Sequence, residues 1–292
     1  MGEELRERFR HFAAIDWSGA KGERHAGLAL AICAPGDAAP ELVRPGHRWS
    51  RGEVLDWLLD EMPADTLVGL DLGAALPFAD RDAFFPGWSE SPADARGLWA
   101  LIDDLCTANP HLSACDFVDH PQVAEHFRRH GNRKGAQFEG RGRLRVTEQA
   151  QREQGLNPYS NLNLVGAAQV GKSSLTGMRV LHRLAGRIPV WPFDALPPRG
   201  SVVVEIYTSL AAIAAGRAKG RTKIRTHAEL DVCLDALGSL PFGGSGPIDD
   251  HRSDAILTAA WLRAKADRAE LWRPRALTPH IAATEGWTFG IV

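Results

Sequence analysis

The chain opens with short apolar runs, each cut off by a polar or turn-forming residue. HFAAIDWSGA, residues 11–20, is apolar up to Asp16 and breaks at Ser18 and Gly19, which predicts a buried strand followed by a turn. HAGLALAICAP predicts a second strand and ELVRPGHRW a weaker third. Over SRGEVLDWLLDEM the period becomes helical: Ser50 caps the start, and Val54, Leu55, Leu58 and Leu59 share one face. TLVGLDLG predicts another buried strand. Three strands, a helix and a fourth strand fit a hairpin meander with a helical crossover to a parallel fourth strand.

Residues 79–165 are less regular. Helices are expected near 92–108 and 121–130, and the remainder, rich in Gly and Arg, reads as an inserted cap or loop region. Regularity returns as a helix over 174–186, a short strand over 188–193 and a buried strand over 201–207 (SVVVEIY). Helices near 208–216, 226–239 and 250–268 follow, and EGWTFGIV reads as a last strand or a docked extension. With no internal repeat or low-complexity linker, the pattern predicts one α/β domain over residues 1–292.

Composition adds limits. Hydrophobic residues make up 44% of the 292, enough for a sizeable core, and the net charge of −2 gives no global field toward nucleic acid or membrane. Any anion-binding surface must be a local patch. Cys33, Cys106, Cys115 and Cys233 lack C-x-x-C spacing and read as buried thiols in a reducing compartment. The N-terminus is charged, and no run is long and apolar enough for a membrane span, so a cytoplasmic protein without a membrane partner is expected.

Three apolar strands carry an acid where the run ends: Asp16 after AAI, Asp71 after LVGL and Glu205 after SVVV. An ionised carboxylate is costly to bury unless it is paired, hydrogen-bonded or bound to metal. Strand ends of α/β sheets are where ligand sites form. A further set, Asp249, Asp250 and Asp254, opens an apolar-faced helix, with Asp250 and Asp254 on one side. Such acids also stabilise a helix N-terminus, just as a lone strand-end Asp can simply cap a turn. Together, carboxylates from separate elements suit a hard cation, Mg²⁺ or Mn²⁺, and metal-assisted phosphodiester cleavage.

The order IDWSGA, LVGLDLGAALPF, VWPFDALP, VVVEIYTSL, DDHRSDAILTAAWL and EGWTFGIV resembles a widespread uncharacterised family predicted to consist of nucleases with a ribonuclease H-like fold. The resemblance runs from about residue 11 to the C-terminus and is weakest across 79–165. It implies a mixed sheet whose first three strands are antiparallel, with helices on both sides. It also implies catalytic acids at Asp16, Asp71, Glu205 and Asp254, with Asp250 as an assistant. The Asp254 block resembles Holliday-junction resolvases as well, and Thr208 stands where many relatives have Pro.

Other motifs leave alternatives open. GAAQVGKS, residues 166–173, fits the phosphate-loop pattern G-x-x-x-x-G-K-[ST], in which Lys172 would reach nucleotide phosphates. The preceding NPYSNLNLV is polar, however, and a poor buried strand. A loop and helix N-terminus beside the carboxylates is the preferred reading, with Lys172 and Ser173 touching a substrate phosphate. IDWSGA also resembles the first-strand Asp and turn of sugar-kinase and actin-type ATPases, although those usually need two such domains.

Seven Lys or Arg against Glu139 fill 128–145, including Arg141 and Arg143, and Arg217, Lys219, Arg221, Lys223 and Arg225 fill 217–225. They suit phosphate contact or a solvated loop equally. None of the nine tryptophans interleaves them, so base stacking is not indicated. Among the histidines, His251 beside Asp250 is the one placed to act as an acid or to sit at a helix start. The leading expectation is a divalent-metal-dependent nuclease with nucleic acid as substrate. A Lys172-dependent ATP-binding phosphotransferase and a non-catalytic nucleic-acid-binding protein are the alternatives.

Overall fold

The computed structural model describes residue 5 and residues 7–131, 133–166 and 170–292. The strands are β1 (His11–Asp16), β2 (Ala29–Cys33), β3 (Glu41–Leu42), β4 (Thr66–Leu70), β5 (Arg128–Arg129), β6 (Arg133–Lys134), β7 (Val190–Trp191) and β8 (Val202–Glu205). Six of them form one sheet in the order β3-β2-β1-β4-β8-β7, and β5 and β6 form a separate hairpin. β1, β2 and β3 are antiparallel neighbours, whereas β4, β8 and β7 continue parallel to β1. The molecule is thus α/β with a mixed sheet, and no helix among the described residues is long and apolar enough to cross a membrane.

Side-chain alternation sorts the strands onto two cores. Ala13, Ile15, Val68, Leu70 and Val203 enter one core. It is closed by α1 (Arg51–Asp56), α2 (Ala95–Leu105) and α4 (Val170–Arg183), α3 being Val146–Glu153. Phe12, Ala14, Leu67, Val202 and Val204 enter the other. α5 (Ser209–Ala214), α6 (His227–Ala236) and α7 (Asp250–Lys265) cover that face, with α7 lying against β1 and β2. α7 reads as long and apolar-faced because Ala255, Ile256, Ala259, Ala260 and Leu262 are all buried there. Gly69 permits the close approach: a Cβ would stand 2.6 Å from the Ile206 side chain and 3.1 Å from Leu262. Each fully buried Leu, Ile or Val contributes about 1.5–3 kcal/mol, so the two cores dominate the stability.

Local signals account for several elements. Ser50 accepts from the Glu53 amide and Glu53 returns a bond to the Ser50 amide, a complete capping box at α1. α1 then passes into a wider helical turn over Trp57–Glu61. The helix expected near 121–130 is much shorter, Pro121–Ala124, because the chain turns into β5 at Arg128, whose amide bonds the Leu162 carbonyl. The helix expected from 174 is already formed at Val170, and α3 went unread because Glu and Gln dominate its sequence. The tail is docked: Trp287, Phe289 and Ile291 are fully buried, with a single bridge from Thr288 to Glu205. Residues 79–165 supply Phe84, Phe85, Trp99, Phe117 and Phe127 to the same core as β1 and β4. Cys33, Cys106 and Cys233 are buried free thiols, but Cys115 is exposed at the start of a short helix.

Candidate functional site

β1 and β4 pair with Ile15 opposite Leu70, and the Asp71 amide donates to the Ile15 carbonyl at 3.0 Å. Asp16 and Asp71 therefore lie just beyond paired positions, at the carboxyl ends of adjacent parallel strands. Following Phe12 and Ala14, Asp16 falls on the face that α7 covers. The helix reaches it with its first turns. Asp249 caps α7 by accepting from the Arg252 amide, and His251 Nδ1 lies 2.5 Å from Asp16 Oδ2. Asp254, one turn further, completes the group.

The charges of these acids act on one another. The Asp71 carboxyl is held well above the usual carboxylate range, first by burial and then by the charges of Asp16 and Asp254. Asp254 is pushed up to about 6 by burial; Lys223 opposes the rise, and Asp16 and Asp250 reinforce it. The Lys223 ammonium sits 3.0 Å from Asp254 and 3.6 Å from Asp250. Burial works against its charge, but Asp254 and Asp250 more than offset this and raise its pKa. The hydrogen bond to Asp16 raises the pKa of His251. Among the described residues no three His, Cys, Asp or Glu side chains are already gathered as a metal-holding group. Asp16 is turned to His251, and Asp254 to Lys223.

The turn after β1 is held rigidly. The buried Arg51 guanidinium donates to the carbonyls of Ser18 (3.0 Å), Ala20 (2.5 Å) and His111 (2.7 Å). Trp17 donates its indole N–H to Thr176 on α4 at 3.1 Å. Gly19 packs backbone to backbone on the start of α4: a Cβ there would lie 2.3 Å from the Ser173 nitrogen and 2.4 Å from the Lys172 carbonyl carbon.

Glu205 does not share the face of Asp16. It pairs in register with Leu70 and shares its parity with Val203, so it faces the opposite side of the sheet from Asp16. Its Oε1 accepts from Arg145 (2.6 Å) and Thr288 (2.5 Å), and its Oε2 from Arg145 (2.8 Å) and the Ala74 amide (2.7 Å). Arg145 also binds Glu148 at 2.6 Å and the Glu285 carbonyl at 3.0 Å. Burial works against its charge, but the two carboxylates outweigh it and raise its pKa. Glu205 thus lines the cavity beside Asp71 as part of a saturated ion network.

The expected phosphate contacts scatter. Ser173 lines that cavity, of about 170 Å³, with Asp71, Trp17 and Tyr159, its hydroxyl donating to the Val170 carbonyl. Arg141 lies 6.0 Å from the centroid of the Tyr159 ring and lines a different cavity. Arg143 is committed elsewhere, to Asp80 and the carbonyls of Ala83 and Phe84. Arg221 is exposed on the turn after α5. Lys172 lies in a separate cavity, with its Nζ 2.6 Å from His130 Nε2.

Part of the phosphate-loop match, residues 167–169, lies outside the described residues. Gly171 has a packing reason of its own, since a Cβ would come within 2.2 Å of the Asn161 carbonyl oxygen. The described stretch before the motif has only an isolated bridge between Asn163 and Arg128 and lies outside the main sheet.

The chain matches no protein-family model, no curated protein and no solved structure. Two participants escaped the sequence reading. Lys223 appeared only as one cation of a basic run, and Arg145 as one of a glycine-spaced series. The spacing Arg145-x-x-Glu148 at a helix start was the available signal for the latter.

Proposed function

We propose that the chain is a ribonuclease H-like hydrolase that cleaves phosphodiester bonds of nucleic acid with the help of Mg²⁺ or Mn²⁺. The observation that supports this reading is the convergence of Asp16, Asp71 and Asp254 from a strand, a strand end and a helix, near enough for the charges of Asp16 and Asp254 to add to burial in raising the Asp71 pKa. Such mutual repulsion is a cost in a fold without an occupant, and a divalent cation removes it. The donors are carboxylate oxygens, which suit a hard cation. Lys223 already stands between Asp254 and Asp250 as a cationic stand-in.

Asp16, Asp71 and Asp254 would hold the ion, with Asp250 at the rim. When bound there, the ion supplies Lewis-acid polarisation of the phosphate and stabilises developing charge. The chain's own groups do the rest. His251 fixes the rotamer of Asp16 through Nδ1, and Lys223, turning off Asp254, is placed to meet the substrate's negative charge. The Glu205–Arg145–Glu148 network holds the loop at Ala74, three residues from Asp71, instead of acting as a ligand.

Titration calorimetry with Mn²⁺, paired with cleavage assays on single-stranded, duplex and branched DNA and on RNA, tests the reading. Wild type should bind Mn²⁺ and cleave; Asp16→Asn should do neither while remaining folded by circular dichroism. Full cleavage by the folded Asp16→Asn protein would sink the proposal.

A further inference from the structure

On the far side of the α4 N-terminus from Asp71 lies a second cavity, of about 430 Å³. Three separated segments line it with basic side chains: Lys21 from the turn after β1, Arg129 and Arg133, with His130, from the β5–β6 hairpin, and Lys172 from α4. Asp119 is the one acid among the described lining residues, and it is engaged by Arg129 at 2.8 Å and Arg133 at 3.7 Å. The Lys172 Nζ and His130 Nε2 meet within hydrogen-bond distance, at 2.6 Å, which ties the first turns of α4 to the hairpin. Burial and the charge of Lys21 push the Lys172 ammonium below its usual pKa. A half-enclosed cluster of cations is stabilised by an anion that enters it.

The position of this cavity is set relative to Asp16. Gly19 packs without clearance on Lys172 and Ser173, and Trp17 is bonded to Thr176. Consecutive residues divide the two sites: Ser173 lines the cavity of Asp71, and Lys172 lines the cationic one. We infer that the Lys21–His130–Arg133–Lys172 cavity binds a backbone phosphate of the same nucleic-acid strand whose scissile bond lies at Asp16 and Asp71. The identity of that strand as substrate rests on the hydrolase reading; the anion site itself rests on the cavity. Side-chain cations drawn from three segments suit a chain threading past, because phosphate contacts of this kind set the register of a strand on a protein.

The test is fluorescence anisotropy of the full chain with labelled 12-nucleotide single-stranded DNA and RNA in EDTA, over a salt series, with pyrophosphate and ATP as competitors. Lys172→Gln and Lys21→Gln should each weaken binding several-fold, and the double variant should lower the slope of log affinity against log salt by about 0.7, as loss of one single-strand phosphate contact requires. Unchanged affinity and slope in the double lysine variant would overturn the inference, and so would ATP displacing the strand at concentrations far below those needed for unlabelled oligonucleotide. Lys21 is exposed, so its variant reports even where Lys172→Gln disturbs folding. Lysine-dependent binding with no metal-dependent cleavage of any substrate would remove the hydrolase reading and leave the anion site standing.

Discussion

His251 Nδ1 lies 2.5 Å from Asp16 Oδ2, so the first turn of α7 clasps the end of the first strand. The two residues are 235 positions apart, and the contact decides which way the Asp16 carboxylate points. A partner that orients a metal-holding group typically matters 10–100-fold. His251→Gln should therefore lower Mn²⁺ affinity or cleavage rate by about that factor while leaving the fold intact, since the His251 side chain is 47% exposed. Calorimetry and initial rates check this. Unaltered affinity and rate would show that Asp16 needs no such support.

Asp71 carries the opposite kind of strain. Burial and the neighbouring carboxylates hold its folded pKa well above the unfolded value. The folded state then binds more protons than the unfolded one between those two values, so stability falls as pH rises through that window. Asp71→Asn removes the charge without changing the shape. In EDTA near pH 8 it should stabilise the protein, seen as a higher urea midpoint, while abolishing Mn²⁺ binding. A lower midpoint would contradict the mutual repulsion on which the site is built.

Glu205 behaves as structure. The Arg145 side chain is 1% exposed and bridges Glu148 and Glu205. Removing one partner of such a buried set leaves an uncompensated charge, at a cost of about 3–5 kcal/mol. Arg145→Ala, which strands two carboxylates, should cost at least as much as Glu205→Ala by urea denaturation. Where Glu205→Gln still folds, it should retain Mn²⁺ affinity close to wild type; a complete loss would reinstate Glu205 as a ligand.

His126 sets part of the acid limit. Its ring is buried edge-on against Phe85 at 5.4 Å, and burial together with the charge of Arg143 lowers its pKa to about 4. The unfolded chain protonates near the ordinary value of 6.5, so this contribution to stability is complete above pH 6.5 and is lost as pH falls toward 4. His126→Phe should therefore lose less stability than wild type between pH 6.5 and 4.5. Parallel melting-temperature curves for the two proteins over that window would refute the assignment.

The elements were legible in local patterning. Apolar runs ending at Asp16, Asp71 and Glu205 are strands, Ser50 caps a helix, and Asp249 to Lys265 reads as a capped helix because hydrophobic period and cap chemistry are properties of neighbouring residues. Which of the three strand-end acids meet was decided by register. Ile15 lies opposite Leu70, which brings Asp16 beside Asp71, and Leu70 lies opposite Glu205, which turns Glu205 to the other face. A run of valines carries parity but no partner, so a shift of one residue exchanges the two faces without altering the run.

The fate of the cations was likewise nonlocal. Arg143 and Lys223 look alike in their basic runs, yet one is spent on Asp80 and two carbonyls and the other on Asp254. Charge along the chain shows that a cation must find compensation. Only the packed structure chooses among acids dozens of residues away, because that choice follows from which helix lies on which strand.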